Sequence, residues 1–167
     1  MKDATYYFHQ TPSDLAKRLI DITPLESGQT VLEPFRGEGA FYNAFPENVV
    51  KKYTELEEGL DYKTDTGETD WVITNPPFQI DVGTKRANAF FVLLMYFLDK
   101  AKVGVAFLAN PNCFGTLTPK RLAEIREKGW YIQTITVVSV KAWRGRYYYI
   151  IFQKKPQHFY TGILGNF

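Results

Sequence analysis

The stretch TVLEPFRGEGAFYNAF, residues 30–45, decides the fold of this chain. Its first six residues form an apolar run typical of a short buried strand, and residues 40–45 have the pattern of a short helix that ends before Pro46. Gly37 and Gly39 lie in the turn between them, where glycine lets the backbone approach a ligand closely. A strand that leads through such a turn into a helix is the repeating unit of an α/β domain.

Strands and helices continue to alternate along the rest of the chain. Apolar periodicity predicts further helices over residues 12–22, 84–101 and 119–129, and strands over residues 51–56, 70–74, 103–109, 133–140 and 147–154. Thr11 before Pro12, and Thr118 before Pro119, are predicted to cap two of these helices. This order predicts a single three-layer α/β domain over residues 1–167, with a mostly parallel sheet and an antiparallel hairpin at its edge.

The composition excludes several classes of protein. Apolar residues make up 45% of the 167 residues, enough for a folded core, and the longest apolar run, residues 89–98, is too short to cross a bilayer. The single cysteine, Cys113, excludes an internal disulfide and a cysteine-cluster metal site, and His9 and His158 are far apart in the chain. The N-terminal residues lack a secretory pattern. We therefore expect a cytoplasmic protein with no membrane segment and no metal.

The net charge of +2 hides an uneven distribution. Residues 1–80 carry 7 basic and 14 acidic side chains, a net charge of −7, whereas residues 81–167 carry 13 basic and 4 acidic ones, a net charge of +9. A basic half within one domain favours a polyanion such as a nucleic acid as partner. The alternative is that both sets of charges are ordinary solvated surface.

The tetrapeptide Asn75-Pro76-Pro77-Phe78 follows the predicted strand 70–74 and is the second informative motif. Proline fixes φ, and the residue before a proline is held extended, so this loop is stiff. It can present the Asn75 side-chain carbonyl, the Pro76 backbone carbonyl and an aromatic ring to one small planar group. Two acceptors suit the two hydrogens of an exocyclic amine, and the ring can stack on the base that carries it. The alternative interpretation of a double proline is a plain turn.

Carboxylates mark the ends of two predicted strands. Glu33 precedes the glycine turn and would repel a phosphate but attract an ammonium or sulfonium group. The turn contains neither G-x-G-x-x-G nor Gly-Lys-Ser/Thr, so it is not a phosphate loop. Glu55 lies at the end of the next predicted strand, and a carboxylate there can accept hydrogen bonds from both hydroxyls of a ribose. Ligands of α/β sheets bind at the carboxyl ends of the strands, where both motifs fall.

Together these motifs resemble the S-adenosylmethionine-dependent amino-methyltransferases, and specifically the enzymes that methylate the exocyclic N6 amine of adenine in DNA. The resemblance covers most of the chain and keeps the family's motif order. It implies a three-layer Rossmann-like methyltransferase fold with a mostly parallel seven-stranded sheet, and S-adenosylmethionine as cofactor. The implied catalytic motif is Asn75, Pro76, Pro77 and Phe78. The implied cofactor contacts are His9, Thr11 and Pro12 at the methionine end, Glu33, Pro34, Phe35, Gly37 and Gly39 in the glycine loop, Glu55 at the ribose, Asp61 and Tyr62 at the adenine, and Asn75.

The resemblance also implies how the reaction proceeds. Asn75 and the Pro76 carbonyl would accept the two amine hydrogens and expose a lone pair on nitrogen, so that in-line methyl transfer needs no covalent enzyme intermediate. Phe78 would stack on the target ring, and the enzyme would flip the base out of a duplex or act on single strands. The predicted nucleic-acid contacts are Lys85, Arg86, Trp143, Arg144 and Arg146, although an aromatic residue near a strand, such as Trp143, is more often part of the core.

The sequence departs from this family because it contains no separate target-recognition domain. Target reading would fall to the loops 79–86 and 141–146, to a homodimer or to a specificity partner. A compact chain of this kind is similar to the small methyltransferases of phages and viruses. Other interpretations stay open, because the same tetrapeptide serves the methylation of adenine in RNA and of glutamine amides in release factors. A chain of a different class, a non-catalytic cofactor-binding subunit, would also show these features.

Overall fold

The computed structural model describes residues 10–64, 67–82 and 85–156, and within residues 81–88 it describes the backbone. The strands are β1 (Thr30–Glu33), β2 (Val50–Tyr53), β3 (Thr69–Thr74), β4 (Gln79–Val82), β5 (Lys85–Asn88), β6 (Ala101–Ala109), β7 (Tyr131–Val138) and β8 (Tyr147–Gln153). The helices are α1 (Ser13–Asp21), α2 (Ala40–Ala44), α3 (Ala89–Lys100), α4 (Asn112–Thr116) and α5 (Pro119–Glu127). A short 3-10 helix, Leu56–Glu58, follows β2.

Six of the strands form one sheet in the order β2–β1–β3–β6–β8–β7. The first four pair in parallel, whereas β8 runs antiparallel to both of its neighbours, β6 and β7. The predicted mostly parallel α/β sheet is confirmed, but the described residues contribute six strands to it instead of the predicted seven. All of these strands except β8 end on the same side of the sheet, which we call the carboxyl edge.

Apolar side chains cover both faces of the sheet, because successive residues of a strand point to opposite sides. On one face Val72 packs with the buried side of α3, and on the other Trp71 and Ile73 pack with α1 and α2. Tyr148 and Tyr149 of β8 alternate in the same way, since each belongs to a different one of these two cores. Helices on both faces make the three layers that the sequence predicts.

The segment that follows the Asn75 tetrapeptide differs from the prediction. Residues 79–88 form a separate antiparallel hairpin, β4–β5, in which Gln79 pairs with Asn88 and Val82 with Lys85. Helix α3 therefore begins at Ala89 and not at residue 84. The backbone N–H of Ala89 donates to the carbonyl of Phe78 at 3.1 Å, which closes the base of the hairpin on the tetrapeptide.

The two predicted helix caps have different outcomes. Thr118 caps α5 as predicted, because its hydroxyl accepts a hydrogen bond from the backbone N–H of Arg121 at 3.4 Å. The prediction for Thr11 is wrong: Pro12 is the N-cap residue of α1, and no side chain caps that helix. The Thr11 hydroxyl instead accepts a hydrogen bond from the side-chain amide of Asn75. None of the described helices combines the length and the apolar character that crossing a membrane requires.

Candidate functional site

Polar and glycine-rich segments meet at the carboxyl edge of the sheet. β1 ends at Glu33, the neighbouring β2 ends just before Thr54 and Glu55, and β3 ends just before Asn75. β6, the next strand along the sheet, ends just before Asn110. The parallel topology therefore brings together side chains that are up to 77 positions apart in the sequence. This is the side of an α/β sheet at which ligands bind.

Glu33 is a carboxyl group that is 2% exposed. Its Oε2 accepts a hydrogen bond from the backbone N–H of Tyr42 at 2.6 Å. Burial raises the pKa of Glu33 to about 8, an effect that the Tyr42 hydrogen bond and the charge of Arg36 oppose, and that the charge of Glu55 reinforces. The group is therefore largely protonated at neutral pH, and a cation brought beside it would favour its ionised form.

The glycine turn is held against the end of β2 by Glu55. One carboxylate oxygen of Glu55 accepts from the backbone N–H of Gly37 at 2.6 Å, and the other accepts from that of Glu57 at 3.3 Å. A carboxylate has about four acceptor sites, so two remain for a ligand's hydroxyls. Gly39 has φ +82°, and a Cβ there would lie 3.3 Å from Nδ2 of Asn43, so both the conformation and the space favour glycine.

Arg36 and the segment after β2 form one wall of this turn. The Arg36 guanidinium lies over the ring of Tyr53, 4.1 Å from its centroid, and pairs with Glu58. Leu56 and Leu60 beside Glu55 are 72% and 42% exposed. Large apolar side chains this exposed offer a surface on which a flat ring can lie. Neither leucine was predicted as a site residue, although both are apolar side chains in an otherwise polar stretch of the sequence.

Asp61 and Tyr62 follow this wall. The Asp61 carboxylate accepts a hydrogen bond from the backbone N–H of Lys63 at 2.9 Å, which leaves acceptor capacity on an exposed turn. The Tyr62 ring packs against Phe35 and Phe97, with centroids 5.1 and 5.8 Å away. Phe35 therefore supports the turn from the core side and connects it to Tyr62. Pro34 contributes through its backbone, since its carbonyl accepts from the Thr54 hydroxyl at 2.7 Å.

Asn75 begins the loop after β3 and is 6% exposed. Its Nδ2 donates to the Thr11 hydroxyl at 3.3 Å, so the N-terminal segment of α1 contacts the predicted catalytic amide directly. The ring of Phe78 lies 6.4 Å from that of Tyr147, at the start of β8.

A small open cleft adjoins this loop, between the ends of β3 and β6. It is lined by Pro76, Pro77, Phe78, Phe90, Ala109, Asn110 and Cys113. Burial raises the pKa of the Cys113 thiol to about 11, so the thiol is neutral. Asn110 and Cys113 were not predicted as site residues, because only the pairing of β6 with β3 brings them beside the tetrapeptide.

The loop between β7 and β8 is the basic part of the carboxyl edge. Arg144 and Arg146 are exposed there, and a Cβ at Gly145 would lie 3.8 Å from Cγ of Pro111, so the loop lies against the turn that follows β6. Trp143 is 8% exposed, and its ring packs on Tyr147 at 4.5 Å. The structure thus places Trp143 in the core, and a nucleic-acid contact by its ring would require it to leave that packing.

Three of the predicted site residues cannot be placed by their side chains. Lys85 and Arg86 lie in β5, where the backbone alone is described, and His9 lies outside the described residues. In the part of the chain that the structure describes, no group of three or more histidine, cysteine, aspartate or glutamate side chains is arranged to hold a metal ion.

The residues around the glycine turn fit a ligand with a positive charge, a ribose and a flat ring. Glu33 supplies a buried carboxyl group, Glu55 has two remaining acceptor sites, and Leu56 is an exposed apolar surface beside it. At Gly37 and Gly39 the backbone of the turn can approach such a ligand closely, because glycine has no side chain; both residues have positive φ. This set of groups matches the chemistry of S-adenosylmethionine.

Several solved structures with a similar fold are methyltransferases. One is a Listeria monocytogenes protein assigned to the class I S-adenosylmethionine-dependent methyltransferases, with a TM-score of 0.68 and 13% identity over 87% of this chain and 60% of that one. A second is the methyltransferase subunit of a type I restriction-modification system from Streptococcus thermophilus, with a TM-score of 0.61 and 19% identity over 88% of this chain and 44% of that one.

A third similar structure is the Mtq2–Trm112 complex of E. cuniculi, which methylates the translation termination factor eRF1, with a TM-score of 0.62 and 15% identity over 90% of this chain and 99% of that one. No protein-family model matches this sequence, and no curated protein matches it significantly. At these identities the likeness establishes the fold alone, an α/β fold that this chain shares with these methyltransferases.

Proposed function

We propose that this protein transfers a methyl group from S-adenosylmethionine to the exocyclic N6 amine of adenine in DNA. The observation that carries the proposal is the order of the groups along the carboxyl edge. The carboxyl groups of Glu33 and Glu55 lie at the ends of β1 and β2, and the Asn75 loop follows at β3. The open cleft comes next, between β3 and β6. A donor bound on one side of the Asn75 loop and an acceptor on the other would meet at that loop.

The cofactor, when bound, supplies an electrophilic methyl group on a sulfonium. Glu33 would neutralise positive charge, Glu55 would accept hydrogen bonds from the ribose hydroxyls, and Leu56 would lie against the adenine ring. Asp61 would accept from the adenine amine. Each assignment follows from the chemistry of the side chain and its place at the edge, and Thr11 adds a contact from α1 to Asn75.

The Asn75 loop would prepare the amine of the target base. An exocyclic amine conjugated with its ring is a poor nucleophile, since its lone pair is delocalised. The Oδ1 of Asn75 and the carbonyl of Pro76 would accept its two hydrogens and favour a tetrahedral nitrogen. Phe78 would stack on the ring, a contact worth roughly 1–3 kcal/mol per base. Positioning and preorganised dipoles account for catalysis of this kind.

The charge distribution supports a nucleic acid as substrate. Arg144 and Arg146 are exposed on the loop that lies against the turn after β6, next to the cleft. Basic side chains at the mouth of a site bind phosphates and hold the strand in register. A base inside a duplex cannot enter the cleft, so the enzyme would flip it out or act on single strands.

Methylation of a glutamine amide is a second candidate. It is supported by the similarity to the Mtq2 structure, which is matched over nearly its whole length. A glutamine amide also presents two hydrogens to Asn75 and Pro76. Methylation of adenine in RNA would use the same cofactor residues and the same Asn75 loop. A cofactor-binding subunit that needs a partner would use the same cofactor residues.

The deciding experiment offers labelled S-adenosylmethionine to the purified protein together with DNA, RNA or total protein, and identifies the methylated product. N6-methyladenine in DNA is the expected product. A labelled methyl group in RNA or on a protein glutamine would show that the substrate is not DNA, while the type of methyl transfer would be the one proposed. Bound cofactor with no label in any pool would overturn the proposal that this chain is active alone.

A further inference from the structure

Asn110 is a polar side chain that the proposed chemistry does not use. It comes directly after β6, whose neighbour in the sheet, β3, ends just before Asn75. Both residues therefore lie at the carboxyl edge on adjacent strands. Asn110 lines the same small cleft as Pro76, Pro77 and Phe78, and the other lining residues, Phe90, Ala109 and Cys113, have apolar or neutral side chains.

The orientation of the Asn110 amide is fixed by a turn. Its Oδ1 accepts a hydrogen bond from the backbone N–H of Asn112 at 3.0 Å, and its backbone carbonyl accepts from Cys113 at 3.1 Å. An N–H can donate only to the oxygen end of an amide, so the Oδ1 and Nδ2 positions are assigned. Among the described residues nothing accepts a hydrogen bond from Nδ2, which leaves two donor hydrogens for a ligand.

We propose that Asn110 reads the ring of the target base, with its Nδ2 donating a hydrogen bond to a ring nitrogen of the adenine whose amine is held by Asn75 and Pro76. This inference rests on the proposed function. It makes Asn110 a specificity-determining residue of the cleft, and it assigns complementary tasks to the ends of two adjacent strands. The loop after β3 accepts from the amine, and the turn after β6 donates to the ring.

The chemistry of adenine suits this division. Its amine carbon is flanked by N1 on one side and, across the ring junction, by N7 on the other, and both nitrogens are acceptors. Guanine carries an oxygen at the same carbon, which would face the two acceptors of the Asn75 loop. A site that pairs a substrate's polar groups rejects analogues that lack them, because its own groups are then left unpaired.

The test combines one substitution with two altered bases. Asn110→Asp keeps an oxygen for the Asn112 N–H and removes the donor. Single-turnover methylation is measured on oligonucleotides with one target adenine, 1-deazaadenine or 7-deazaadenine, because each analogue replaces one ring acceptor by C–H. The single-turnover rate of the wild-type protein is expected to be about 5- to 100-fold lower on one analogue than on adenine, as for a lost hydrogen bond in a desolvated site.

The rate of Asn110→Asp on adenine should be lower than that of the wild-type protein by a similar factor. On the analogue to which the wild-type protein is sensitive, the variant should show no further loss of rate. Comparing the two proteins on each base cancels the effect of the analogue on the reactivity of the amine. Asn112→Asp is the matched control, because it makes the same chemical change two residues away, outside the cleft lining. It should keep the wild-type preference between bases. Asn110→Ser, whose shorter hydroxyl can still accept from the turn, is the second variant if Asn110→Asp unfolds.

Two outcomes overturn the inference. The wild-type protein could accept both analogues as well as adenine, or Asn110→Asp could retain the wild-type discrimination between them. Failure of the proposed function gives a different result, since the wild-type protein would then leave unmodified adenine in DNA unmethylated and methylate RNA or a protein amide instead. The sensitive analogue also reports the geometry, because loss on 1-deazaadenine assigns the contact to N1 and loss on 7-deazaadenine assigns it to N7.

Discussion

At the scale of single residues, Glu33 shows how the fold changes the chemistry of a side chain. A glutamate at a strand end is visible in the sequence, but its protonation state depends on burial by residues from other elements. Burial raises its pKa to about 8, against an ordinary value near 4.5. Thr11 gives the same lesson, since its hydroxyl contacts an amide 64 positions away instead of capping its own helix. Both side chains were predicted to belong to the site, whereas their partners depend on tertiary packing.

Glu33 makes the stability of the cofactor-free protein depend on pH. The folded state binds this proton more tightly than the unfolded state, so the free energy of unfolding should fall as pH rises from about 4.5 to about 8 and change little above that. Each pKa unit corresponds to about 1.4 kcal/mol. Glu33→Gln should therefore be more stable than the wild-type protein by a few kcal/mol at pH 8.5 and similar to it at pH 4.5, as measured by urea unfolding. Equal pH dependence of the two proteins would contradict this assignment.

Asn75 should be needed for transfer and much less for cofactor binding. Asn75→Ala removes an acceptor that acts on the amine as the transition state forms, and losses of about 100- to 1,000-fold in rate are typical for such groups. Calorimetric affinity for S-adenosylmethionine should change little. Asn75→Asp keeps an acceptor but loses the Nδ2 donation to Thr11, so its rate should lie between those of the wild-type protein and Asn75→Ala. Normal methylation by Asn75→Ala would refute the role of the loop.

At the scale of elements, the sequence predicts whether a segment forms a strand or a helix better than it predicts which strands pair. The strands that end at Glu33, Thr74 and Ala109 were predicted from apolar runs. The β4–β5 hairpin was not, because Lys85, Arg86 and Ala87 are good helix formers placed directly before a strongly apolar helix. Their strand conformation comes from cross-strand pairing with residues 79–82, and pairing is a tertiary property. The cleft lining at Asn110 was missed for the same reason.

The contact between β3 and β6 depends on a glycine. Trp71 is fully buried opposite Gly104, and a Cβ at Gly104 would lie 2.2 Å from the indole ring. Gly104→Ala should therefore lower the free energy of unfolding by about 1–3 kcal/mol, the usual cost of an overpacked core. Gly115→Ala is the matched control: it lies in α4 with open space around it, and alanine there should be neutral or slightly stabilising. Equal stability of the two variants in urea would show that the indole can move aside at no cost.

At the scale of the whole molecule, the uneven charge of the sequence places acidic side chains on one part of the carboxyl edge and basic side chains on the other. The acidic half contains β1 and β2 with Glu33 and Glu55, and the basic half contains β6 to β8 with the Arg144 loop. Parallel strand order brings the two halves side by side. A cationic cofactor and an anionic strand would then approach the Asn75 loop from opposite sides, each attracted by charge of the other sign.

This arrangement predicts how DNA binding responds to salt. Arg144 and Arg146 are expected to neutralise one phosphate each, and every contact contributes about 0.9 to the slope of log affinity against log salt concentration. Arg144→Ala combined with Arg146→Ala should weaken binding and reduce that slope by about 2, without changing the affinity for S-adenosylmethionine. Lys155→Ala is the matched control, because Lys155 is equally exposed but follows the far end of β8, at the opposite edge of the sheet. An unchanged slope in the double variant would assign the phosphates to other residues, with the β4–β5 hairpin and its Lys85 and Arg86 as the next to replace. A loss in the control half as large as that of the double variant, and so equal for each charge removed, would mean that binding follows net charge alone and that the carboxyl edge does not select the strand.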